Sequence, residues 1–135
     1  MNRPENISGM SVVMLLFLFT NTIAQSKWAA PASADRVVNP LAGNSESVSE
    51  GKKIYESMCL VCHGEKGKGN GAASVSLSPR PANFLSIQVR HESDGAIFWK
   101  LSEGNPPMAS YKTLLTETQR WQLVNYIRKL EDSSK

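Results

Sequence analysis

The chain is predicted to be all-α, on three observations. Apolar residues recur at helical spacing through its downstream half. No segment alternates polar and apolar residues over a useful length. Capping residues and glycines bracket the apolar runs as helix starts and stops do. Three to five helices in one modest domain are expected for 135 residues once a leader and a lead-in are set aside.

Residues 1–24 have the three-part pattern of an export signal: a short start with one Arg, the apolar stretch VVMLLFLF from Val12 to Phe19, and small residues at Thr22 and Ala24. The competing reading is an uncleaved membrane anchor. It is disfavoured because Ser, Gly, Asn and Thr dilute the charge-free run Ile7–Ala24, whereas a span wants about 20 solidly apolar residues. Either way the working domain is expected outside the cytoplasm, in the periplasm. Residues 25–47, rich in Ala, Pro, Ser and Asn, read as a flexible linker or lead-in. The domain is expected over 48–131, with residues 132–135 as a polar tail. A core of that size alone contributes only a few kcal/mol, so a large buried cofactor would act as a staple.

The first domain helix is SVSEGKKIYESMC, with Ser47 or Ser49 as its cap and Glu50 in its first turn. Gly51, Tyr55 and Cys59 lie four apart, on one face. GEKGKGNG follows, a glycine-dense loop without the Gly-Lys-Ser/Thr ending of a phosphate cradle, and no strand leads into it. Pro79 and Pro81 then forbid regular helix. SDGAIFWKLSEG reads as the next helix, capped by Ser93 or Asp94, apolar at Ile97, Phe98 and Leu101, and stopped by Gly104. A loop stiffened by Pro106 and Pro107 leads to TETQRWQLVNYIRKL. There Thr116 and Gln119 stand at capping-box spacing, Trp121, Val124 and Ile127 form a stripe, and Arg128 and Lys129 suit the negative helix end.

A net charge of +3 with 20% charged residues and no dense Lys/Arg stripe excludes a nucleic-acid binder. The mild positive balance suits transient docking to an acidic protein face.

The chemistry lies in Cys59-Leu-Val-Cys62-His63, which holds both cysteines of the chain. A thioredoxin-type dithiol needs a βαβ context and leaves His63 without a job. A closed zinc site wants four ligands, and the chain offers two cysteines and two histidines, with His91 far from His63. Covalent haem attachment uses every residue of the cluster. The two thiols form thioethers with the porphyrin vinyl groups, and the adjacent histidine supplies the proximal imidazole. One covalent haem c per chain is therefore expected on Cys59, Cys62 and His63.

From here the sequence resembles a class I cytochrome c, over about Val48 to Leu130. The family has a Gly and an aromatic residue four apart, then the first haem cysteine four further on, as at Gly51, Tyr55 and Cys59. Its last helix crosses the first at that Gly with a Leu and an aromatic three apart, which Leu123 and Tyr126 match. The chain is particularly similar to bacterial monohaem members with a lead-in like NPLAGN and a last helix like RWQLVNYIRKL. The resemblance implies a helical fold wrapped around one haem. It also implies a sixth iron ligand from the Pro-stiffened loop, where Met108 is the candidate; the family often has Pro after that Met, whereas Ala109 follows here. His91 is the rival ligand, and Met58 is assigned to the core. In relatives a proline carbonyl accepts the other imidazole proton, and Pro79 or Pro81 would serve. Arg80, Trp99 and Tyr111 are candidates for the propionates, and Ile54, Leu77, Phe84, Phe98 and Leu101 for the wall around the porphyrin.

A His63/Met108 pair favours ferrous iron and closes both axial positions, which suits single-electron transfer. The expected function is that of an exported monohaem electron carrier, not an enzyme. It would be a monomer that meets redox proteins, such as a periplasmic dehydrogenase and a terminal oxidase or reductase, at an exposed haem edge ringed by Lys66, Lys68, Arg80 and Lys112. The alternatives are a haem enzyme or gas sensor with an open or displaceable sixth position, for which His91 is the available distal group, and a membrane-tethered cytochrome subunit.

Overall fold

The computed structural model describes residues 28–133. The leader expected over 1–24 lies outside them. Five helices follow in order: α1 (Ser45–Met58), α2 (Leu60–His63), α3 (Ile87–Arg90), α4 (Asp94–Glu103) and α5 (Glu117–Asp132). Single 3₁₀ turns occur at Ala34–Arg36 and Ser74–Ser76, and the one β pairing among the described residues is the isolated Asn105–Met108 bridge. The all-α expectation holds.

α1 and α5 share the largest interface. Tyr55 of α1 and Leu123, Val124 and Ile127 of α5 are the most deeply buried large side chains, and Cys59, Phe84, Ile97, Leu101 and Trp121 continue the same apolar cluster. The crossing is close because position 51 has no side chain. A Cβ there would stand 2.0 Å from the Gln122 carbonyl oxygen and 3.0 Å from Tyr126 Cβ. Of the expected pair, Tyr126 meets the glycine, while Leu123 is fully buried in the core beside it.

The caps are partly as expected. Thr116 and Gln119 make the full capping box of α5, and Ser93 caps α4 by accepting from Ala96 N–H. α1 begins earlier than the sequence suggests: its cap is Asn44, whose side chain accepts from Ser47 N–H at 2.9 Å, and neither Ser47 nor Ser49 takes that role. Ser47 is buried instead, and its hydroxyl accepts from Asn125.

The lead-in is more firmly held than its composition suggests. Buried Asn39 donates to Asp94 (2.8 Å) and to Asn125 (2.7 Å), and its own carbonyl oxygen accepts from Leu41 N–H. Asn125 donates on to the Leu41 carbonyl at 2.7 Å. The Ala34–Arg36 turn sits hard on the start of α4, where a Cβ at Gly95 would lie 2.0 Å from the Ala34 carbonyl oxygen. This polar, proline-containing segment is held by amide hydrogen bonds and not by an apolar stripe. Asn39→Ala is expected to cost about 2 kcal/mol, since it strands buried partners of Asn125 and Leu41. The guanidinium midpoint should fall at unchanged slope, and a loose linker would leave it where it was.

Candidate functional site

Cys59 sits at the junction of α1 and α2, and α2 then carries Cys62 and His63 within one turn. The N–H groups of Cys62 and His63 both reach the Cys59 carbonyl, at 3.2 and 2.9 Å, so the motif is one tight helical turn. Cys59 is buried and Cys62 half-buried, and the two sulfurs are not joined to each other. Burial, with Cys62 adding to it, pushes the Cys59 thiol up to about 12, so it is an uncharged sulfur in an apolar setting at neutral pH.

His63 is buried, and its ring stacks on Phe84 with centroids 4.5 Å apart and planes 14° from parallel. Its Nδ1 lies 3.1 Å from the Ala82 carbonyl oxygen. That carbonyl only accepts, so Nδ1 carries the proton and donates, and Nε2 keeps its lone pair. Burial holds the imidazole below its usual pKa and the Ala82 bond partly opposes this, which leaves a neutral ring, the form that ligates iron. The backbone acceptor is therefore Ala82, not the expected Pro79 or Pro81. Pro81 still has a role one residue upstream. Gly69, at φ +71°, brings the glycine-dense loop against it, and a Cβ at Gly69 would fall 2.4 Å from the Pro81 carbonyl oxygen. Glycine density in 64–71 is what folds this loop tightly enough to place Ala82 at the imidazole. Tyr55 anchors the start of the same loop by donating to the Gly64 carbonyl at 2.6 Å.

Met108 is half-buried and packs against the cluster that contains Cys59, Phe84 and Leu101. It closes a four-residue turn with Asn105, each backbone N–H bonding the other's carbonyl at 3.0 and 2.8 Å. Three residues on, Tyr111 reaches back towards α1, its hydroxyl 3.5 Å from the Met58 carbonyl. The ring packs on the cluster that includes Cys59, and burial, with the two thiols adding to it, raises the Tyr111 pKa. The loop bearing Met108 and the cysteine motif thus belong to one apolar region. His91 does not join it: it is an exposed residue at the end of α3. Met58 departs from expectation, being 37% exposed and not in the core. Of the wall candidates, Phe84 and Leu101 are buried and Ile54, Leu77 and Phe98 half-buried; Arg80 is exposed, and Trp99 and Tyr111 are half-buried.

The donor set fits covalent haem. Two thiols stand three positions apart on one turn, and a neutral, oriented imidazole follows directly. Among the described residues no three Cys, His, Asp or Glu side chains converge as a metal-ion site, so the zinc reading finds no ligand cage.

Comparison with known proteins agrees with this geometry. A thiosulfate dehydrogenase electron acceptor from Thiomonas intermedia (strain K12) is 31% identical over 125 residues, which cover 92% of this chain and 48% of that protein. Among solved structures, a chain of the Kuenenia stuttgartiensis reducing HAO-like protein complex superposes with a TM-score of 0.61 at 27% identity, over 70% of this chain and 49% of that one. The chain therefore spans about half the length of these relatives. The profile of the family described as Cytochrome c matches residues 48–131, and with the attachment motif, the oriented imidazole and the α1–α5 crossing it places the chain in the cytochrome c family, which carries covalently bound haem c.

Proposed function

We propose that this chain is an exported, monohaem electron carrier whose iron lies between His63 and Met108. The observation that carries this reading is the hydrogen bond of His63: Nδ1 is committed to the Ala82 carbonyl, so Nε2 keeps the lone pair that would hold the iron. The haem supplies a one-electron ferric/ferrous couple. The protein's part is to hold that couple still and dry. α2 fixes the two sulfurs, Phe84 backs the imidazole, and the Asn105–Met108 turn presents the thioether from a stiff loop. With His63 and Met108 both holding the iron, the site would have little to rearrange on gain or loss of an electron.

The Thiomonas relative is named as an electron acceptor of a dehydrogenase, which supports a donor of that kind for this chain; a terminal oxidase or reductase is the outlet we propose. An apolar leader over residues 1–24 supports export to the periplasm. The solved neighbour belongs to a protein complex, which favours as a second reading a subunit of a larger oxidoreductase. Amino-terminal sequencing of the protein from its host's membrane and soluble fractions separates a tethered subunit from a soluble carrier.

The carrier reading is tested by a redox-resolved visible spectrum. The ferric protein should show the weak far-red band of thioether–iron ligation, and the ferrous protein should resist carbon monoxide at neutral pH. Met108→Ala is expected to abolish that band and admit carbon monoxide. A wild-type protein that lacks the band and binds the gas readily is instead a haem enzyme or sensor.

A further inference from the structure

Arg120, in the first turn of α5, is 9% exposed, and no carboxylate pairs with it among the described residues. A buried guanidinium without an acid partner is costly, and an apolar side chain would serve the fold better. Its contacts explain what it holds. Nη1 donates to the Ser102 hydroxyl, and the guanidinium carbon lies 4.7 Å from the centre of the Phe98 ring, which stacks on Trp121 at 4.0 Å. Nε has no partner.

Ser102 is in the last turn of α4, and the arm that follows Met108 hangs on that turn. The Ser102 carbonyl accepts from the Ser110 hydroxyl at 2.6 Å and from Lys112 N–H at 3.3 Å, and the Leu101 carbonyl accepts from Tyr111 N–H at 3.0 Å. Residues 109 and 110 cross Gly104 so closely that a Cβ there would stand 2.6 Å from their backbone. Met108 is therefore fixed upstream by its turn with Asn105 and downstream by the end of α4, and Arg120 holds that end.

We propose that Arg120, acting through Ser102, is a positioning residue for the Met108 loop and sets how readily an outside ligand displaces the thioether from iron. This rests on the His63/Met108 reading. A charged donor makes a stronger bond to the hydroxyl than a neutral one, and the flat cation covers the Phe98 ring at the same time. Lysine lacks the planar fork and cannot do both.

The test is an imidazole titration of the ferric holoprotein, followed in the visible spectrum. Arg120→Gln and Ser102→Ala should each tighten imidazole binding by about tenfold, the usual scale for residues that support a metal ligand. The double variant should go little further than either single one, because both break the same link. Asn39→Ala, which loosens the fold at the opposite end of α4, should lower the denaturation midpoint and leave imidazole affinity unchanged. If Arg120→Gln and Ser102→Ala bind imidazole as the wild type does, or if Asn39→Ala tightens binding equally, the proposal fails. If Arg120→Gln does not fold, Ser102→Ala decides alone. If Met108→Ala binds imidazole no better than the wild type, Met108 is not the ligand, and the reading beneath the proposal falls separately.

Discussion

Replacing Cys59 and Cys62 together by alanine is expected to give a protein with no covalently held haem. These are the only thiols in the chain, so no other sulfur can form a thioether. The loss should be complete: haem-dependent peroxidase staining on a denaturing gel disappears, and acidified organic solvent extracts whatever pigment remains. Each single variant should keep one thioether site and show reduced staining. The fold should suffer as well, because in a domain of this size the apolar core alone contributes only a few kcal/mol and a covalent cofactor acts as a staple. Pigment that resists extraction from the double variant would remove the attachment chemistry from the account.

Gly51→Ala should be among the most destabilising single substitutions outside the haem motif. Helix propensity by itself favours alanine by about 1 kcal/mol, so a stabilised variant would be expected if position 51 faced open space. It faces the backbone of α5. The new Cβ would lie 2.0 Å from the Gln122 carbonyl oxygen, against 3.4 Å for ordinary contact. A backbone carbonyl cannot swing aside as a long side chain can, so α1 and α5 must separate along the largest interface in the fold. Overpacking of this kind outweighs the propensity gain, for a net loss of about 2–3 kcal/mol. In a domain of this size that lowers the melting temperature by roughly 10–20 °C. A melting temperature equal to or above that of the wild type would mean the helices do not cross there.

Arg120 was legible in the sequence only as part of a helix pattern. Nothing local marks it as buried, since its partner Ser102 and the ring it covers belong to another helix. Ala82 is illegible for a related reason: a backbone acceptor has no residue-type signature. The role of Asn39 has no sequence signal either, because its neighbours carry no apolar period, although the same segment supplies the cap of α1 at Asn44.

By itself the sequence determined the helical class, the capping box of α5, and the Cys59, Cys62 and His63 motif, because each depends on residues within a few positions of one another. Only the tertiary structure decided which carbonyl steadies His63, that Asn39 straps the lead-in to α4 and α5, and how the Met108 loop is hung from α4. The first two rest on contacts between residues 19 to 86 positions apart, and the third on bonds from Ser110 and Tyr111 back to Ser102 and Leu101 across the turn at Gly104. Their geometry depends on the path of the whole backbone, which no short window of residues specifies.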